Sequence, residues 1–338
     1  MPALRPTRAL PVAVAALSIA ALASGCSTTS ASAKSGGGGN LNLVAYSTPQ
    51  QVYSALIPQF NATADGKGVS VKQSYGASGS QSRAVIAGQP ADVVEFSLEP
   101  DMSKLVDAGL VASDWNSGQY KGIITDSVVV LVVRKGNPKH ITGWDDLVKP
   151  GIKVVTPNVF SSGSAKWNLM AAYGAQIKQG KTPAEALAFV KAMLKNTVAQ
   201  PESGSKATEA FVGGTGDVLI SYENEAIKAQ QGGADVDYVT PDQTILIENP
   251  VAVTKSAPAS AQKFVSFLYT DAAQKTFAKY GYRPVVAADL DKSQFPTPKT
   301  LFTIDDLGGW STVTAKFFDP QNSLLASIER GKGVATSK

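Results

Sequence analysis

From Leu41 onward the chain alternates short apolar runs with amphipathic stretches, and that alternation constrains its fold more than any other feature. Runs rich in Val, Ile and Leu read as strands at Leu41–Tyr46, Val69–Ser74, Asp92–Phe96, Ser127–Val133, Ile152–Thr156, Asp217–Tyr222, Tyr238–Thr240 and Ile245–Val253. Helical spacing falls between them, at Gln50–Phe60, Gln81–Ala87, Asp101–Ala108, Ala165–Tyr173, Pro183–Lys195, Lys206–Val212 and Glu223–Gln230. The Pro183 helix is the clearest. Thr182 suits its N-cap, Pro183 its first turn, and Ala186, Phe189, Val190 and Met193 share one face. Two late helices, Ala261–Tyr269 and Ala272–Tyr280, follow, with Gly281 ending the second. Strands alternating with helices predict α/β layers with mixed, largely parallel sheets.

The 338 residues fit two domains or one large α/β unit. Hydrophobic residues make up 43% and charged residues 17%, which excludes a disordered chain. No long charge run exists, so no nucleic-acid partner is expected. Residues 1–25 read as a signal peptide. Arg5 and Arg8 precede an apolar run from Pro11 to Leu22, and Ala23, Ser24 and Gly25 supply a small-residue cleavage site. The run is too short and too Ala-rich for a membrane span. Cys26, the only cysteine, stands directly after those small residues in an arrangement that resembles a bacterial lipobox, with Ala23 where Leu is common. The resemblance implies cleavage before Cys26 and a lipid on its thiol, so the membrane becomes a partner through that anchor. Residues 26–40, dominated by Ser, Ala and Gly, read as a flexible tether. Losing Arg5 and Arg8 removes two of the four net positive charges, so the folded part is nearly neutral.

Four strand-to-helix junctions share one chemistry. They are Tyr46-Ser47-Thr48-Pro49, Tyr75-Gly76-Ala77-Ser78-Gly79-Ser80, Ser161-Ser162-Gly163-Ser164 and Glu202-Ser203-Gly204-Ser205-Lys206. Each sets small residues at a helix start, where free backbone N–H groups and the helix dipole favour an anion. Glycine lets the backbone come close, and serine adds a neutral hydroxyl donor. Any one of them alone reads first as a plain serine N-cap. Together their donors could surround a small tetrahedral oxyanion.

The chemistry that is missing points to binding rather than catalysis. The run Gly174 to Thr182 has five residues between its glycines where a P-loop needs four, and it follows a helix. No Ser sits in a Gly-x-Ser-x-Gly elbow. The one histidine, His140, lies in a loop, and no His, Cys or carboxylate cluster has metal-ligand spacing, so no metal and no cofactor are expected. The acidic pairs Asp145-Asp146 and Asp305-Asp306 read as helix-start residues.

With these junctions in view the chain resembles the sulfate-binding proteins of bacterial ABC importers. The stretches that carry the resemblance are SYGASGSQ (Ser74–Gln81), VVRKGNPKHITGWDDLVKPGIKVVTPN (Val132–Asn158), SSGSAKWN (Ser161–Asn168), GTGDVLISYENEA (Gly214–Ala226), YRP (Tyr282–Pro284) and LFTIDDLGGW (Leu301–Trp310). It implies a two-lobed periplasmic-binding-protein fold of type II with the anion in the interlobe cleft. One lobe would hold residues 41–132 and 246–338, the other 133–245. The implied ligand contacts fall on Ser47, Ser78, Ser162, Gly163, Ser164, Ser205 and Tyr222. The implied role is a monomeric, extracytoplasmic receptor that hands sulfate or thiosulfate to the permease subunits of an ABC transporter.

Three positions depart from the family pattern. Ser47-Thr48-Pro49 replaces Asp-Pro-Thr, Ser162-Gly163-Ser164 replaces Ser-Gly-Gly, and Tyr222 replaces a tryptophan. The last exchanges an indole N–H for a phenol that can donate or accept. A molybdate, tungstate or phosphate receptor is therefore an alternative, and a sulfate- or phosphate-ester hydrolase a second one. Trp167, Met170 and Tyr173 read as core, Lys166 and Lys206 as solvated lysines, Arg83 as backing its loop, and Arg283 as a salt-bridge residue.

Overall fold

The computed structural model describes residues 39–336. Cys26 and most of the segment read as leader and tether lie outside the described residues.

The first strands and helices alternate as the apolar periodicity predicts: β1 (Asn40–Tyr46), α1 (Gln50–Asn61), β2 (Ser70–Gly76), α2 (Ser78–Ile86), β3 (Val93–Glu95) and α3 (Glu99–Asp107). The long strand β4 (Ile123–Arg134) leads into β5 (Val154–Val155), α4 (Gly163–Lys178), α5 (Pro183–Lys195), β6 (Thr197–Ala199), α6 (Gly204–Val212), β7 (Val218–Tyr222), α7 (Glu223–Gln231) and β8 (Val236–Val239). A second long strand, β9 (Gln243–Val253), returns the chain to α8 (Ala259–Leu268) and α9 (Asp271–Lys279). The remainder holds β10 (Arg283–Pro284), β11 (Thr300–Phe302), α10 (Gly309–Val313), a π-helical turn (Thr314–Phe318) and α11 (Leu324–Gly331).

The strands lie in the order β2-β1-β3-β9-β4-β7-β5-β6. Its two wings are parallel: β2 and β3 flank β1, and β6 and β7 flank β5. The centre is antiparallel, because β9 runs against both β3 and β4, and β4 against β7. The expected parallel pairing thus belongs to the wings, while β4 and β9 run through both. In each wing a strand delivers the chain at its C-terminal end to the start of a helix, which is where open α/β sheets place their ligands.

The two largest of four apolar clusters follow from this arrangement. One gathers Leu41, Leu43, Ala45, Tyr53, Leu56 and Phe60 with Phe264 and Phe277. The other surrounds α4 and takes in Trp167, Met170 and Tyr173, as expected, together with Trp310, Phe317, Phe318 and Leu325 from the C-terminal segment. Trp167 meets Trp310 edge to face at 4.6 Å, a geometry worth ~0.5–1.5 kcal/mol beyond the area it buries.

Helix α4 runs well past the expected Ala165–Tyr173, and the reason is burial. Every residue from Gly163 to Gln176 except Lys166 is buried, so no polar stripe marks its period. The C-terminal elements escaped sequence reading because they are short and interrupted by Pro284, Pro296 and Pro298. Helix α5 has the predicted bounds. Its Thr182 hydroxyl accepts from the Glu185 N–H while the Glu185 carboxylate accepts from the Thr182 N–H, a complete capping box.

Candidate functional site

The four junctions converge. Ser205 at the start of α6 meets Ser47 after β1, its hydroxyl donating to the Ser47 carbonyl at 3.1 Å and its N–H to the Ser47 hydroxyl at 3.4 Å. A methyl group on Gly204 would stand 3.0 Å from Ser164 Oγ and 3.4 Å from the Thr48 methyl. One on Gly163 would stand 2.1 Å from Leu98 Cδ2 and 2.7 Å from Ser97 Oγ. Only glycine permits that second approach, since real Cβ atoms do not come so close. Beside it, the α2 start at Gly79 lies against the Ser161 carbonyl. Helix starts from both wings therefore share one small region.

Most of these helix starts are not capped by a side chain. The residue preceding α1 is Pro49, that preceding α2 is Ala77, and neither supplies a cap. Ser162 precedes α4 and could cap it, yet its hydroxyl makes no cap hydrogen bond. It pairs instead with the Ser164 hydroxyl at 2.8 Å. Ser203 alone of the four caps its helix, accepting from the Lys206 N–H at 3.3 Å. An α-helix leaves its first N–H groups without carbonyl partners, so α1, α2 and α4 aim unspent donors into this region.

Ser78 and Tyr222 are held by a residue that sequence reading passed over. The Ser78 hydroxyl donates to Asp101 Oδ2 at 2.7 Å and accepts from the Ser97 N–H at 3.1 Å. Its proton is committed, which leaves the Ser78 backbone N–H as its free donor. The Tyr222 phenol pairs with the Ser97 hydroxyl at 2.7 Å. The Ser97 carbonyl accepts from Trp167 Nε1 at 2.7 Å and Asn249 Nδ2 at 3.2 Å. Ser97 thus ties β3 to α4, β7 and β9. A signal was available: Ser97 stands between β3 and α3, a fifth strand-to-helix junction.

Charge sits one layer back. Asp101 is fully buried. Burial alone would raise its carboxyl, but the Lys166 and Lys104 ammonium groups and the Ser78 hydroxyl outweigh it and hold the group below the ordinary carboxylate range. Lys166, expected as a solvated lysine, is instead half-buried, and burial lowers its pKa. Lys206 is exposed and pairs with Glu209 at 2.8 Å, as expected for a surface lysine. Arg83 donates to Ser80 Oγ at 3.1 Å and so backs its own loop. Arg283 grips Glu223 through two bonds of 2.7 and 3.0 Å, an almost fully buried structural pair. Among the described residues no His, Cys, Asp or Glu cluster could hold a metal ion. Nor is any described helix long and apolar enough to cross a membrane.

A family model described as bacterial extracellular solute-binding protein matches residues 41–283. The chain belongs to that family. The sulfate-binding protein of Synechococcus elongatus is 43% identical over 300 residues, spanning 84% of this chain and 86% of that one. The thiosulfate-binding protein of Escherichia coli is 33% identical over 311 residues, spanning 85% and 90%. Among solved structures, the sulfate-binding protein SubI from Mycobacterium tuberculosis H37Rv is 50% identical, covers 83% of this chain and 99% of its own, and superposes with a TM-score of 0.81. The α/β periplasmic-binding-protein fold expected from the sequence is the fold observed, with its mixed sheet flanked by helices.

Proposed function

We propose that this chain is a receptor for the sulfate dianion that serves an ABC importer, and that it performs no chemistry on its ligand. The observation that carries this reading is the meeting of three helix starts without side-chain caps, beside serine hydroxyls and an Asp101 carboxylate that is already satisfied. The N–H groups of Ser78, Gly79, Gly163 and Ser164, with the Ser47 hydroxyl and the one proton left over from the Ser162–Ser164 pair, would form a ring of neutral donors, while the Ser205 hydroxyl is spent on the Ser47 carbonyl and braces the Ser47 loop. Helix dipoles add partial positive charge behind them. Such a ring replaces the hydration of a dianion without a cation partner. Tyr222 acts on it through Ser97. The sulfate-binding and thiosulfate-binding names of the relatives agree with this chemistry.

Selectivity follows from what the ring lacks. Sulfate carries no proton at neutral pH, whereas phosphate keeps one and needs an acceptor for it. Asp101, the nearest carboxylate, already accepts from Ser78 and Lys104. A bound phosphate would bury its hydroxyl unpaired, and that rejects it.

The two wings would act as lobes hinged on β4 and β9, closing over the anion. Residues 41–132 and the segment from 246 to about 302 form one lobe in this reading, and 133–245 the other. The C-terminal elements from Ile304 onward travel with the second lobe, since Trp310, Phe317 and Leu325 share its core. Lipid attachment at Cys26 would hold a monomeric receptor outside the membrane, beside its permease.

Calorimetric titration of anion-free protein with sulfate, thiosulfate, molybdate, tungstate and phosphate tests the reading. Sulfate binding tightly, thiosulfate close to it and phosphate poorly is the expected order. Heat from molybdate or phosphate without heat from sulfate would overturn it.

A further inference from the structure

Glu95 lies at the C-terminal end of β3, level with Ala45 of β1, and is 0% exposed. It stands two residues before Ser97 and one strand away from the Ser47 loop. Neither of its carboxyl oxygens has a hydrogen-bond partner, and neither do the buried hydroxyls of Tyr46 and Tyr53. The titratable groups that act on it are phenols: Tyr53 on α1, Tyr46 on β1, Tyr75 on β2, Tyr269 between α8 and α9, and Tyr282 after α9, while β9 sets the apolar Val251 level with it. Tyr120 stacks on Tyr269 at 5.0 Å. The Tyr53 hydroxyl is turned toward the carboxyl without reaching hydrogen-bond geometry. Burial and neighbouring acidic groups raise the phenols well above their ordinary range, so none of them ionises near neutrality.

The cluster reaches the ring through hydroxyls. Tyr282 donates to Thr48 Oγ1 at 3.3 Å, and the Tyr46 hydroxyl approaches the same oxygen. Thr48 is buried between Ser47 and the start of α1, and its methyl lies against Gly204. A negative charge on Glu95 would therefore sit behind the donors that hold the dianion, in a fully buried position where screening is weak.

We propose that Glu95 is a proton site linked to the anion ring: the receptor keeps this carboxyl neutral when the dianion is bound, and ionising it weakens the dianion. An unpaired carboxyl buried among phenols with no cation beside it is stable only as the acid. Burial pushes the Glu95 carboxyl up to about 8. The sign then follows. Below pH 8 Glu95 holds its proton and leaves the ring undisturbed. Above pH 8 it ionises in the anion-free protein, and binding must restore the proton. Linkage requires the reciprocal effect, so sulfate raises the affinity of Glu95 for its proton.

This rests on the sulfate reading above, and the experiment separates the two. Sulfate is titrated calorimetrically at pH 6, 7, 8 and 9 in Tris and in HEPES, whose ionisation heats differ, so that proton uptake is read directly. Affinity is expected to hold from pH 6 to 7 and to fall about tenfold by pH 9, with about half a proton taken up per sulfate at pH 8 and close to one at pH 9. Glu95→Gln should flatten the pH profile and abolish the uptake. Asp126, a half-buried acid that desolvation also pushes up to about 8, serves as the control, and Asp126→Asn should leave the uptake intact. Sulfate binding equally well at pH 6 and pH 9 without proton uptake would overturn the linkage, even if Glu95→Gln failed to fold. So would uptake lost in Asp126→Asn but kept in Glu95→Gln. No sulfate binding at any pH would instead refute the receptor reading itself.

Discussion

Helices α4 and α5 follow one another in the chain, and their starts are built to opposite ends. Helix α5 opens behind Thr182 with a closed capping box, so its first N–H groups have partners. Helix α4 opens behind Ser162, a residue equally able to cap, and that serine turns its hydroxyl to Ser164 instead. The difference lies in where each start points. The Thr182 start is exposed, and local bonds are the way to satisfy it without relying on solvent. The Ser162 start is buried against Ser97, Leu98 and Gly204 from other elements. A helix start that is buried yet uncapped holds donors in reserve, and a desolvated dianion is what such donors suit.

Substitutions can break that contrast. Gly163→Ala carries the largest expected effect, because its new methyl collides with Leu98 and Ser97 and forces the two sides of the ring apart. Sulfate affinity should drop by ~3 kcal/mol or more in calorimetry, while the melting temperature without sulfate changes little if the lobes can open. Ser162→Ala comes next, removing one hydrogen bond to a charged ligand. It should cost about 1.5–3 kcal/mol of affinity, and little anion-free stability, since this serine caps nothing. Thr182→Ala reverses the pattern. Loss of its cap should lower unfolding stability by about 1 kcal/mol and leave sulfate affinity unchanged. Tyr222→Phe should change affinity least, by ~0.5–1 kcal/mol, the order of one neutral hydrogen bond's net contribution, because the phenol acts on the ring only through its bond to Ser97. A drop in affinity well above that would mean that the phenol itself grips the anion.

Much of this was legible in the residues because it is local. Thr182-Pro183 with Glu185 fixes the α5 start, and the apolar spacing behind it fixes the buried face. Ser47, Ser78, Ser162 and Ser205 stood out because each sits where a strand gives way to a helix. What the sequence could not show depends on contacts made far along the chain. Ser162 and Thr182 look alike as N-caps, and only the approach of Ser97 and Gly204 separates them. Lys166 reads as a surface lysine until Asp101, 65 positions earlier in the numbering, is seen buried across from it. Glu95 reads as an ordinary strand-end acid, because nothing in its neighbourhood of sequence reveals the five tyrosines gathered around it. The C-terminal elements from β10 onward are mostly too short to show a period, and distant partners hold them: β10 pairs with β4, β11 with β9, and Trp310, Phe317 and Leu325 enter the core around α4.

The central claim is that unspent backbone donors at α2 and α4 hold the anion, and the amide signals of two glycines test it directly. In a nitrogen-15 correlation spectrum recorded before and after adding sulfate, the Gly79 and Gly163 N–H protons should move downfield and exchange more slowly with water. The Glu185 N–H, already bonded to Thr182 in the α5 cap, should not move. Saturation with sulfate that left the Gly79 and Gly163 signals in place would contradict the account.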